Sequence, residues 1–150
     1  PRAISISTPV VSPMARLLFS LWGNTYSSRL KRYWQLGSPE DSPKRWRLIS
    51  PAYDTGRVKV PVLMQMPEQE YRSSLDYSVP MIQAHQADVY VFPNEPHQKF
   101  QPRHKLAVYE RNLDWFRFWL QDYEDGDSIK ADQYARWRQM RKSISGKRSK

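Results

Sequence analysis

The chain has 150 residues, enough for one domain with a real core but not for two large ones, and it has no cysteine. Disulfides, thiolate metal sites and a cysteine nucleophile are therefore excluded, while six Trp and nine Tyr exclude a wholly disordered chain. The net charge of +9 is uneven: seven Lys or Arg and no acid lie between Ala135 and Lys150, leaving 17 basic residues against 15 acids elsewhere. The body is nearly neutral, and the run predicts a solvated basic tail before it predicts a nucleic-acid or membrane contact.

In chain order, PRAISIS opens without Met and without a signal pattern, and reads as the middle of a longer protein. Ala3 to Ser7 is a candidate short buried strand. Pro9 to Ser50 is irregular, with short helices expected over Met14 to Trp22 and Tyr26 to Leu36. Val60 to Met66 (VPVLMQM) predicts a buried parallel strand with Pro61 at its beginning. Tyr71 to Ala87 predicts a helix with Leu75, Val79 and Ile82 on one face, kinked or divided by Pro80 near Val79. Asp88 to Phe92 predicts the next strand, ended by Pro93. Arg103 to Gln121 is the strongest helix, its face Leu106, Tyr109, Leu113, Phe116 and Leu120 advancing by 3, 4, 3 and 4 residues. Residues 126–150 are expected to form an amphipathic helix and the basic tail, set apart from 1–125. No apolar run approaches the ~18 residues of a membrane span. Localisation is left open, and the cytoplasm is compatible.

Strand, helix, strand, helix at these lengths describes the end of an α/β fold, with parallel strands alternating with helices. Such sheets collect function in the loops after the carboxyl ends of their strands. Two loops qualify. Pro67 to Tyr71 holds Glu68 and Glu70, and Pro93 to Pro102 holds Glu95 and His97. A histidine acting as general base needs a carboxylate on its far nitrogen. For His97, Glu70 is the leading partner and Glu68 the rival; Asp76 falls inside the helix, and Glu95 is expected to shape the loop. His85 and His104 lack the strand-end placement. No histidine spacing suits a metal, and no cofactor is expected. The G-x-S-x-G nucleophile elbow is absent, so a serine completing the order Ser, acid, His would lie upstream of Pro1.

Ser50-Pro51, Pro61-Val62-Leu63, Pro93-Asn94-Glu95-Pro96-His97 and Tyr109-Glu110-Arg111 with Trp115-Phe116 together resemble the carboxyl-terminal part of the prolyl oligopeptidase family of serine peptidases. The resemblance covers the last two-thirds of the chain well and the first third loosely. It implies the C-terminal half of an α/β-hydrolase fold, with His97 as catalytic histidine. Met66-Pro67-Glu68-Gln69-Glu70 stands where that family has His-Gly-x-x-Asp, which puts a glutamate, Glu70, in the acid position. Gln98 replaces the glycine that usually follows the histidine. These departures are similar to the lasso peptide isopeptidases, which hydrolyse the isopeptide bond of a threaded peptide. The implied partners are a peptide substrate, a lasso peptide among the candidates, and the missing catalytic half and β-propeller. The alternatives are a non-catalytic hydrolase-like binding module and a nucleic-acid-associated fragment using the basic end with Tyr134 and Trp137.

Overall fold

The computed structural model describes residues 2–8, 12–19 and 24–148. Three parallel strands, β1 (Ile4–Ile6), β2 (Val62–Pro67) and β3 (Ala87–Phe92), form one sheet in the order β1-β2-β3. Ile6 pairs with Met64 as the last rung on one side of β2, and Pro67 pairs with Phe92 on the other. Pro61 lies just outside β2, and its carbonyl accepts from Ile4 N–H at 3.0 Å. A proline is tolerated there because its missing donor costs the ladder nothing.

β2 is buried along its whole length, so its alternate residues serve two cores. Val62, Met64 and Met66 pack with Tyr77 and Met81 on one face. Leu63 packs with Trp115, Phe118, Tyr134, Trp137 and Met140 on the other. The first face is covered by α4 (Leu75–Gln83), the second by α5 (Pro102–Gln121) and α6 (Ala131–Arg148). This is an α/β arrangement of helices on both sides of a parallel sheet, as the sequence predicts. A smaller apolar cluster joins α1 (Pro13–Phe19), α2 (Asn24–Trp34) and α3 (Pro43–Ile49) through Leu30, Leu36 and Trp46. Residues 20–22 of the helix expected over Met14 to Trp22, with Gly23, lie outside the described residues. No described helix is long and apolar enough to cross a membrane.

Several expectations need correction. The Tyr71 to Ala87 segment begins as a 3-10 turn over Tyr71–Ser74, becomes α4 at Leu75, and ends at Gln83. Pro80 stays inside α4 instead of dividing it near Val79. The buried face of α4 is Tyr77, Ser78 and Met81, while Val79 and Ile82 are exposed. In α5, the buried residues are His104, Val108, Asp114, Trp115 and Phe118, and the predicted face from Leu106 to Leu120 points to solvent. The α5 sequence is apolar on two sides, and the sheet takes the one that carries the larger rings.

Among the described residues, the basic end is a helix packed on the body along one side, not a solvated tail. Tyr134, Trp137, Met140 and Ile144 lie on one side of α6 and are buried. Trp137 Nε1–H donates to Asp88 Oδ2 at 2.7 Å, and Arg136 Nε–H to Asp88 Oδ1 at 3.0 Å, fixing α6 to β3. Arg138 pairs with Glu124 and Arg141 with Asp122, so charge that reads as a free run is partly neutralised by the body.

Candidate active site

Both strand-end loops leave the same edge of the sheet, because β2 and β3 are parallel and end in register. They are stitched to each other by main-chain bonds, Glu68 N–H to Phe92 O at 3.0 Å and Gln69 N–H to Glu95 O at 3.4 Å. Glu68 adds a side-chain link: its Oε2 accepts from Asn94 N–H at 2.6 Å. Asn94 adopts φ 55°, a left-handed conformation asparagine tolerates better than most residues, so the chain can turn sharply after Pro93.

Across these stitched loops, His97 Nδ1 lies 2.8 Å from Glu70 Oε1. A carboxylate can only accept, so the shared proton belongs to Nδ1 and Nε2 is the open nitrogen. The His97 side chain is 68% exposed, while that of Glu70 is only 22% exposed. The ring is thus held on its inner side and presented on its outer side. Glu70 Oε2 is buried and has no hydrogen-bond partner among the described residues. A shallow cavity of about 470 Å³ adjoins the ring, lined in part by Ser7, Gln98, Lys99, Lys105 and Tyr109.

The structure separates the acids that sequence left in competition. Glu70 meets His97, Glu68 fixes the turn at Asn94, and Asp76 accepts from Ser12 Oγ at 2.5 Å. Glu95 is fully buried, and its carboxylate accepts from Phe100 N–H at 2.8 Å, Gln101 N–H at 3.2 Å and His104 Nδ1 at 2.6 Å. The loop that carries His97 therefore leaves at residue 95 and is closed at 100–101 by that residue's own side chain. Burial pushes the Glu95 carboxyl up, but the donors from Phe100, His104 and Gln101 outweigh it and hold the group below its ordinary value. His85 stands apart from this edge, near Gln139.

Sequence reasoning missed His104 and Lys99. His104 falls in the first turn of α5, a position that alone gives no sign that it faces Glu95. Lys99 donates to Ser7 O and, at 2.7 Å, to Gln65 O. Burial lowers the Lys99 ammonium pKa, while Glu95 and Glu70 oppose the shift. No three His, Cys, Asp or Glu side chains among the described residues are grouped to hold a metal ion.

No family model matches the chain. Over 120 residues, 79% of its length, it is 39% identical to the lasso peptide isopeptidase AtxE2 of Asticcacaulis excentricus. The chain is homologous to part of a lasso peptide isopeptidase. The solved structure of apo AtxE2 isopeptidase superposes with a TM-score of 0.78 and 34% identity over 95% of this chain. A serine-to-alanine variant of AtxE2 with Astexin3-dC4 bound gives 0.79 at the same identity and coverage. The chain spans 17% of the curated isopeptidase and 22% of each solved one. The relationship is to a peptidase-type hydrolase, and it agrees with the resemblance carried by the two strand-end motifs.

Proposed function

We propose that this chain is the acid- and histidine-bearing C-terminal portion of a serine hydrolase of the prolyl oligopeptidase type, cleaving peptide or isopeptide bonds. The observation that carries the reading is the 2.8 Å contact between His97 Nδ1 and Glu70, with the opposite ring nitrogen free on the exposed side. In this mechanism a serine outside residues 1–150 attacks the amide carbonyl. His97 Nε2 takes the serine proton and returns it to the leaving amine, breaking the C–N bond and leaving an acyl-enzyme. Water, deprotonated by the same nitrogen, then releases the acid. Glu70 holds the imidazole tautomer and stabilises the imidazolium that forms. The oxyanion donors come from the nucleophile-bearing half of the fold.

The substrate is a peptide, with a lasso peptide the first candidate because AtxE2 is an isopeptidase whose serine-to-alanine variant holds Astexin3-dC4. On this reading the 150-residue chain alone turns over nothing. The test is a graft in which this chain replaces the matching segment of AtxE2. The graft is expected to hydrolyse Astexin3-dC4 and to lose that activity on His97→Ala, while the purified chain is inert and unlabelled by a fluorophosphonate. Activity that survives His97→Ala, or a folded graft that binds the peptide without cleaving it, would favour a non-catalytic binding module. The nucleic-acid reading is not favoured, since Tyr134 and Trp137 are buried and unavailable for stacking.

A further inference from the structure

His97 lies in a loop, yet its ring must be held to within about 1 Å for proton transfer to be efficient. Glu70, three residues past β2, is held by its own turn: its N–H donates to Pro67 O at 3.1 Å and its carbonyl accepts from Ser73 N–H at 2.9 Å. The histidine loop has a second tie besides the buried Glu95 carboxylate. Beyond Ile6 and Met64, the β1–β2 ladder stops. The Lys99 ammonium takes over at that point, donating to Ser7 O just past β1 and to Gln65 O in β2. The same nitrogen lies 5.3 Å from the centre of the Phe92 ring, the last residue of β3. One side chain, two residues from His97, thus joins the residue after β1, the main chain of β2 and the ring of the last residue of β3.

We infer that Lys99 is a positioning residue, tying the histidine loop to the sheet so that His97 keeps its Nδ1 on Glu70. The inference rests on the reading of His97 and Glu70 as the acid–base pair, but it assigns Lys99 a role which that reading does not require. An ammonium suits the task because it offers three donors and two carbonyls must be satisfied at once. Methionine keeps most of the stem and removes every donor, whereas arginine keeps donors and charge.

The test uses the chain as it stands, labelled with ¹⁵N, at alkaline pH where imidazole is neutral. Long-range ¹H–¹⁵N spectra then report which nitrogen of His97 carries the proton. The unmutated chain is expected to show the Nδ1–H form. Lys99→Met should shift His97 toward the Nε2–H form that free imidazole prefers, with amide shifts of β2 and β3 unchanged, and Lys99→Arg should retain Nδ1–H. A Lys99→Met chain whose His97 still carries its proton on Nδ1 would overturn the inference while leaving the acid–base pair intact. An unmutated chain without the Nδ1–H form would overturn both. Should Lys99→Met unfold, the unmutated chain still decides: in separate spectra at mildly acidic pH, the Lys99 ammonium protons should exchange with water at least tenfold more slowly than those of exposed Lys105, and equal rates would refute the anchor.

Discussion

His97 with Glu70 and His104 with Glu95 are the same chemical pair built twice, at 2.8 and 2.6 Å, seven residues apart in the histidine positions. Their surroundings differ. In the first pair the side chains are 68% and 22% exposed, and in the second 11% and 0%. His104 also packs against Phe92, ring centroids 5.2 Å apart. Glu95 spends its remaining capacity on the main chain of Phe100 and Gln101. The two contact distances are alike, so what sets the pairs apart is exposure, and only His97 presents its ring to solvent. The buried pair closes the loop, and the exposed pair is the one proposed to do the chemistry.

Substitutions should therefore divide between turnover and stability. In the grafted isopeptidase, Glu70→Gln is expected to lower turnover by about 10²–10⁴, because an amide can donate to His97 and carries no charge to stabilise imidazolium. Glu70→Asp draws the carboxylate back by about one bond and should cost on the order of 10², measured the same way. Neither should lower the melting temperature as far as Glu95→Ala, which takes the acceptor from the part-buried N–H groups of Phe100 and Gln101 and from buried His104. A Glu95→Ala protein that melts unchanged but has lost turnover would break the comparison.

A pH titration of stability sharpens it further. The folded pKa of Glu95 lies below the ordinary 4.5. Its stabilisation is therefore fully present above that value and is lost as pH falls through the folded pKa. Thermal melts of the chain should show a fall in midpoint in this acid range that Glu95→Gln flattens. The smallest effect expected concerns α5: Leu113→Glu, on its exposed apolar face, should reduce concentration-dependent association in sedimentation without altering the melt.

The sequence read the sheet edge better than it read the helices. Pro93 and Pro67 mark where β3 and β2 end, so the placement of Glu70 and His97 in neighbouring loops followed from strand positions alone. The helix faces did not follow. In α5, a leucine stripe and a tryptophan–phenylalanine stripe share one helix, and periodicity cannot say which one meets the sheet. In α6, alternating Arg and aromatic residues look like a cationic end until Asp88 supplies the buried acceptor for Arg136 and Trp137. Lys99 was invisible for a related reason: its acceptors are main-chain carbonyls, which leave no mark in a sequence.

The most direct test of the central claim compares Glu70→Gln with Glu68→Gln in the graft, at one temperature and with folding verified. Both acids lie in one loop, two residues apart, and both already accept a hydrogen bond. The account predicts a loss of about 10²–10⁴ in turnover for Glu70→Gln and less than about tenfold for Glu68→Gln. If the two effects were exchanged, Glu68 would be the acid. If neither change mattered, the pair seen here would not be the one that does the chemistry.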